Sequence, residues 1–362
     1  MFRIFALKYV NQMKKVVFFL LFLAFVLAGQ AQADILTSQS ASSSAIIIQK
    51  SDFVLAFGSC NRVDLENKLW DDVLLNQPDI WVWGGDNIYA DTGNMHKIKK
   101  MYNRQKNNPE YQKVLENIPV IGTWDDHDYG LNDGGQEWKH KQASQQLFLD
   151  FMDVPKKDTR RNREGVYCAV DYNLPQGKIK ILVLDTRYFR SSLEKSPNKS
   201  RRYEPSSDST KTVLGEEQWR WLENELQSSE ADFNILISSV QFLSDKHGFE
   251  KWGNFPSEVA KLEKLVGKAK AKNVIVLSGD RHIAEFSEKK VDGLPYPFVD
   301  FTSSGLTHVY EKYSGEENPY RVGEVIHEVN FGLLRFDFEK KLVVFEIRGN
   351  ENKLLQQIIR TY

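Results

Sequence analysis

The chain has 362 residues, of which 41% are hydrophobic and 12% aromatic, and its formal net charge is −1. That is enough apolar material for a sizeable core, and the near-neutral balance argues against nucleic acid or an anionic membrane surface as the main partner. Its two cysteines, Cys60 and Cys168, are compatible with one disulfide or two thiols, and their spacing does not decide between them.

In chain order, Lys14-Lys15 precede an apolar run over residues 16–28, which is followed by Gln30-Ala31-Gln32-Ala33. A charged head, a short apolar stretch and an A-x-A site read as a signal peptide (1–33), removed after Ala33. The run is too short to span a bilayer comfortably, and nothing later is apolar enough to cross a membrane. The expected product is therefore exported, periplasmic or secreted. Residues 34–51, Ser-rich over 37–44, read as a linker, and 52–362 as one domain.

Short β-branched and aromatic runs predict strands at 53–57, 80–83, 119–122, 179–184, 233–238, 274–277 and 298–302, with a hairpin formed by 333–338 and 342–347. Helical periodicity falls at 68–75, at 97–117 in pieces, and at 136–152, 216–226 and 257–269. Trp219, Leu222 and Leu226, like Val259, Leu262 and Val266, form stripes that belong to a core. The alternation implies a layered α/β domain, in which ligands gather beyond the carboxyl ends of the strands.

Four apolar strands end alike. "FVLAFGSC" ends at Cys60, "IWVWGGDNIYAD" leads to Asp86 and Tyr89, "IPVIGTWDDHD" to Asp126 and His127, and "VIVLSGDRH" to Asp280 and His282. Each has a glycine near its exit, where the chain can turn sharply. Taken singly, Gly-Asp is a common turn signal, and Asp125-Asp126-His127-Asp128 reads equally as a solvated loop with a helix-capping aspartate. Taken together, they deliver carboxylates, imidazole, phenol and thiol to one region, the donor set of a metal centre. Several cations at one site favour phosphate-ester hydrolysis, in which a metal-activated water attacks and charge neutralisation is the chief need.

The ordered motifs "FGSC", "GGDNIYAD", "WDDHD", "LDTRYFR", "WGNFP", "SGDRH" and "TSSGLTH" resemble those of the alkaline phosphatase D (PhoD-like) family of metallophosphatases, a branch of the calcineurin-like phosphoesterase fold. The likeness runs from about residue 53 to 308. It implies an αββα sandwich of two mixed β-sheets flanked by helices, and an exported hydrolase of phosphomonoesters or phosphodiesters carrying Fe3+ and Ca2+. On the matching positions, Cys60 and Tyr89 are iron ligands and Asp86 bridges. Asp126, Asp280 and His282 complete the metal set, with Asn132 as a further calcium ligand. His127 is then the phosphate-contacting or proton-donating group, oriented by Asp128 or Asp125. Arg187 reads equally as a phosphate clamp and as the ion-pair partner of Asp185 or another carboxylate. This reading keeps Cys60 out of a disulfide and leaves Cys168 a spare thiol.

Two departures stand out. The Asp-x-His of most calcineurin-like enzymes is absent from the first motif, where Cys60 stands alone, and Asn87 fills a slot that is aromatic in many relatives. Two other functions compete. One is a thiol hydrolase with Cys60 as nucleophile and His282 or His127 as base. The other is a non-catalytic binder of phosphorylated ligands. Substrate specificity is expected to lie in the loop-like insert 190–214.

Overall fold

The computed structural model describes residues 51–362. The expected signal peptide and nearly all of the linker lie outside the described residues. No described helix is long and apolar enough to cross a membrane.

The first half of the domain contains β1 (Phe53–Gly58), α1 (Trp70–Leu75), β2 (Ile80–Gly84), α2 (Met95–Lys106), α3 (Pro109–Asn117), β3 (Val120–Thr123), α4 (Asp126–Tyr129) and α5 (Lys141–Phe151). Next come β4 (Cys168–Asn173), β5 (Lys178–Val183), β6 (Glu194–Lys195), β7 (Tyr203–Glu204), α6 (Gly215–Ser228), β8 (Phe233–Ile237) and α7 (Pro256–Lys268). The chain closes with β9 (Val274–Ser278), β10 (Ala284–Lys289), β11 (Phe298–Ser303), β12 (Arg321–Ile326), β13 (Phe331–Asp337), β14 (Leu342–Arg348) and β15 (Leu354–Thr361).

Two large sheets result, with strand orders β15-β14-β13-β1-β2-β3 and β12-β10-β11-β9-β8-β5-β4, and β6 and β7 pair as a separate two-stranded hairpin. In the first, β1, β2 and β3 run parallel; in the second, β5, β8, β9 and β11 do. Side-chain alternation explains why these strands read as unbroken apolar runs. Phe53, Leu55 and Phe57 of β1 meet Phe233, Ile235 and Ile237 of β8 in a core between the sheets. Val54 and Ala56 point the other way, into a layer built from Trp70, Tyr102, Tyr111 and Phe148 of the helices. Leu236, Val274 and Val276 likewise face Trp219, Leu222 and Leu262 of α6 and α7. Strands covered on both faces have no polar side to show. The αββα sandwich expected from the motifs is present, and every predicted strand and helix is found with boundaries shifted by a few residues.

Strands β4, β10, β12 and β15 were not among the predicted strands, nor were the short β6 and β7, which pair within the insert expected to be loop. In β10, Glu285 and Ser287 are buried among polar partners. Strands β12 and β15 lie at sheet edges, and most of their side chains are partly exposed. The short helix α4 is hidden in a run that looks like a charged loop.

Candidate metal centre

The parallel strands of both sheets finish at one edge, and their exits are tightly folded. Cys60 (φ 63°), Asp86 (φ 52°), Asp280 (φ 69°) and His282 (φ 55°) all take the left-handed backbone, as do Asp91 (φ 43°) and Asp133 (φ 50°) beside them. This conformation is uncommon for residues with a Cβ, and it persists where the surrounding structure enforces it. The glycines let the exits approach one another. A Cβ on Gly85 would stand 2.7 Å from that of Asp125, and one on Gly279 would stand 2.6 Å from Ser59 Oγ.

Four of the expected ligands converge on Asp86. Its Oδ2 lies 3.5 Å from Cys60 Sγ and 3.1 Å from the Tyr89 hydroxyl, which is itself 2.9 Å from His282 Nε2. Four groups each bring one ligand atom per residue within 4.8 Å of the others: Cys60, Asp86 and His282; Asp86, Asp126 and His127; Asp125, Asp126 and Asp280; and Asp126, Asp133 and Glu250. Asp125 Oδ2 and Asp126 Oδ1 are buried without a hydrogen-bond partner among the described residues. Buried carboxylate oxygens without partners are costly, and a cation would satisfy them. Thiolate, phenolate, imidazole and hard oxygens are donors that first-row and alkaline-earth ions accept, so the residues present fit the expected metals. Both cysteines are free thiols, Cys60 buried and Cys168 partly so.

The charge balance points the same way. Burial, with the repulsion of neighbouring carboxylates, pushes the Asp86 and Asp280 carboxyls well above the usual range. Burial, aided by Asp86 and Asp280, does the same to the Cys60 thiol. The metal-free chain therefore carries more acid than it can ionise. His127 answers part of this. Burial opposes its charge, yet Asp86, Asp126 and Asp91 outweigh that and raise it to about 11. Burial also works against ionising Asp126, but His127 and Arg187 prevail and hold it down at about 2. His282 is pushed down to about 3 by burial and by His308 and His127, so its imidazole is neutral and has a lone pair to offer.

Some expected site residues stand elsewhere. Arg187 is fully buried and does not line the open pocket, so the clamp reading gives way to an ion pair, made with Asp125 and Glu250. Its Nε donates to Asp125 Oδ1 at 2.5 Å and its Nη1 to Glu250 Oε2 at 2.6 Å. Asp128 does not orient His127. Its Oδ1 accepts the Asp125 backbone N–H at 2.6 Å, capping α4, and its Oδ2 accepts from the Asn87 side chain. Asp125 is taken by Arg187 and by Ser239 Oγ at 2.5 Å. Within the acidic run, Asp125 stands at the N-cap position of α4, Asp128 caps it from the first turn, and Asp126 keeps one buried oxygen without a partner. Asn87, at the departing slot, is the buried donor that fixes Asp128. Asn132 is exposed and donates to Asp126 Oδ2 at 2.9 Å, next to the site.

The group that orients His127 was missed. Asp91 places both oxygens, at 2.7 and 2.8 Å, on His127 Nδ1, and Tyr89 stacks on the ring with centroids 4.1 Å apart. Nε2 is left turned to the site, 3.9 Å from Asp126 Oδ1. Asp91 closes the same "GGDNIYAD" motif, and its position there was the available signal. His308, also unassigned, meets Tyr89 and His282 edge-on at 5.1 and 4.4 Å.

A pocket of about 420 Å³ opens over this centre, lined by Asp126, His127, Asp280 and His282 together with Asn132, Asp133, Arg202, Phe249, Glu250, Arg281 and Tyr310. A larger hollow of about 570 Å³ lies elsewhere, between the free edges β3 and β4. Size does not decide here, because the ligand groups sit at the smaller one.

A sequence model of the PhoD-like phosphatase family matches residues 55–328, most of the domain. The chain belongs to that family. Among curated proteins it is similar to alkaline phosphatase D of Bacillus subtilis (strain 168), with 25% identity over 194 residues. That alignment covers 48% of this chain and 33% of the relative, so only a third of the relative's length is matched. Among solved structures the fold is similar to that of PhoD, with a TM-score of 0.67 and 17% identity over 85% of this chain and 68% of that one. A dimetal phosphatase from Danio rerio aligns with a TM-score of 0.49 and 13% identity, over 86% of this chain and all of that one. The PhoD-like family match spans all the strand exits that carry the ligand groups.

Proposed function

We propose that this PhoD-like chain is a metal-dependent phosphoric ester hydrolase acting on phosphomonoesters or phosphodiesters. The observation that carries the reading is the convergence of Cys60, Asp86, Tyr89, Asp126, Asp280 and His282, from strand exits of both sheets, around carboxylate oxygens with no partner of their own. In our reading Cys60, Tyr89 and Asp86 hold Fe3+, whose preference is for thiolate and phenolate. Asp126 and Asp280, with Asn132 beside them, offer the oxygen donors that Ca2+ takes. When bound, such cations neutralise the phosphoryl oxygens and acidify water.

The chain's own groups do the rest. His127, its Nδ1 fixed by Asp91, presents a protonated Nε2 that donates to the departing alkoxide. Tyr89 packs on one face of the imidazole and keeps the ring from turning. Arg187 holds Asp125 in place, so that the loop bearing Asp126 cannot swing away. A thiol hydrolase is disfavoured by the surroundings of Cys60. Its Sγ makes hydrogen bonds to Asp86 and Ser59 and none to the nearby His282 imidazole, and in the metal-free chain burial and Asp86 hold its proton on.

The test is elemental analysis of the purified protein, paired with hydrolysis of p-nitrophenyl phosphate and bis-p-nitrophenyl phosphate before and after chelation. Iron with calcium, and activity lost on chelation, are expected. Undiminished activity in metal-free protein would restore the thiol mechanism, and bound metal without turnover would leave a phosphate-binding protein. We further propose export, which rests on the residue pattern of 1–33 alone. N-terminal sequencing of the mature protein should then begin at about Asp34, and an intact Met1 would refute it.

A further inference from the structure

Two arginines, Arg202 and Arg281, line the pocket beside Asp133 and Glu250, and nothing in the proposed hydrolysis uses them. This wall of the pocket is built where the insert hairpin β6–β7 docks on the loop that follows β8. The Arg202 and Tyr203 backbone N–H groups donate to Gly248 O, both at 2.9 Å, and Arg201 Nη2 lies 3.4 Å from His247 O. Tyr203 ties the hairpin to the metal-centre side through Asp133 Oδ2, at 2.7 Å. Into this junction come Arg201, Arg202, His247, Lys251 and Arg281. The Arg281 guanidinium lies 4.2 Å over the Phe249 ring, and Lys251 Nζ donates to Phe249 O at 3.1 Å.

Several donors there are unused. His247 Nδ1 accepts the Phe249 N–H at 3.2 Å, which leaves the ring proton on Nε2. That Nε2, Arg201 Nε and Arg281 Nε are all buried without a partner among the described residues; His247 is 4% exposed and Arg281 6%. The carboxylates at hand are largely committed. Glu316 holds Arg281 Nη2 at 2.7 and 2.8 Å, Glu250 lies between Arg187 and Arg190, and Asp133 takes Arg202 at 3.0 Å. Asp245 pairs with Lys246, and one of its oxygens is also free. The crowding of cations is felt by Lys251, which burial, Arg201 and Arg281 press down to about 8. Buried donors without acceptors are expensive and mark a place that an anion would complete.

We infer that this wall, with Arg202, Phe249 and Arg281 at the pocket surface and Arg201, His247 and Lys251 behind them, is a second anion subsite that takes a phosphate or carboxylate carried by the substrate beyond the scissile ester. The inference rests on the proposed hydrolysis for its meaning but not for its detection. It makes the preferred substrate a phosphate ester with a further negative charge within reach of the centre.

Matched substrates test it. Butane-1,4-diol bisphosphate and 4-phosphooxybutyrate present the same alkyl ester as butyl phosphate, with a distal phosphate or carboxylate added. KM is expected to be at least tenfold lower for the bisphosphate than for butyl phosphate. The carboxylate arm shows which anion is preferred. In Arg201→Gln, a change at a half-buried side chain of the hairpin, the advantage should fall to within about twofold, while kcat/KM for butyl phosphate stays within twofold of wild type. Lys251→Met is the second variant, with the same expectation. Equal KM values for the pair in the wild type, or an advantage that survives Arg201→Gln, would overturn the subsite. Should neither ester be hydrolysed, the hydrolase reading fails by itself. Calorimetric titration with the bisphosphate, comparing wild type with Arg201→Gln, then still decides whether the wall binds an anion.

Discussion

The fate of four consecutive ionisable residues shows how one motif is divided among unlike tasks. Asp125 meets a buried guanidinium, Asp128 caps a helix, Asp126 keeps an open oxygen for a cation, and His127 carries the proton. Arg187 supplies part of the positive charge that the acidic run demands, and metal must supply the remainder. Because Arg187 and Asp125 are both fully buried, removing the arginine strands two carboxylates. Arg187→Met should therefore cost about 3–5 kcal/mol, read as a lower denaturant midpoint. Asp91→Asn makes a different prediction. It keeps the side-chain shape but weakens the hold on His127 as a cation, so turnover of an alkyl phosphate should fall on the order of 10²-fold. Turnover of p-nitrophenyl phosphate, whose leaving group needs no proton, should fall far less, and metal content should not change. Equal losses on both substrates would remove His127 from proton donation. The residue types of the centre were legible because thiol, phenol and carboxylates at strand exits are chemically conspicuous. Asp91 and the engagement of Arg187 were not, since both depend on partners 36 and 62 residues away in the chain.

At the level of elements, strands declared themselves where both faces are covered and hid where an edge or a polar pairing broke the apolar run, as in β12 and β10. The exits matter more than the strands. Gly85, at φ +102° and pressed against Asp125, sets the turn that delivers Asp86. Gly85→Ala should lower stability by roughly 1–3 kcal/mol and reduce bound metal in the same protein, measured by denaturation and elemental analysis. If stability fell with metal content intact, the turn would be structural only. Several ligand-bearing residues themselves adopt backbone geometry that glycine prefers. Sequence pattern cannot register this, because Cys, Asp and His carry no sign of it.

Across the whole molecule, the ligands join the two sheets: Cys60, Asp86 and Asp126 extend from one, Asp280 and His282 from the other. Metal should therefore stabilise the sandwich, by about 2.7 kcal/mol at a hundredfold excess over Kd. The effect should depend on pH. In the metal-free chain Asp125 is raised to about 6 and Asp128 to about 7, chiefly by burial. Groups raised above their unfolded values favour the fold while protonated, and that contribution is lost as pH rises through the folded values. Asp126, depressed to about 2, acts in the opposite sense but at lower pH. Stripped protein should thus lose Tm between about pH 4 and 7, and the gap to loaded protein should widen over that range. A gap constant with pH would show that the acids are not relieved by metal.

The position of β1 has one more consequence. It lies between β2, made soon after it, and β13, made almost last, so the strand that carries Cys60 cannot be sealed on both sides until the carboxyl-terminal hairpin has left the ribosome. Until the later strands are in place Cys60 lacks part of the enclosure it has in the finished fold, and Cys168, made before them, is a thiol with which it can mispair under oxidising conditions. The order in which the chain is made therefore sets a race between closure of the first sheet and mispairing of its sulfur.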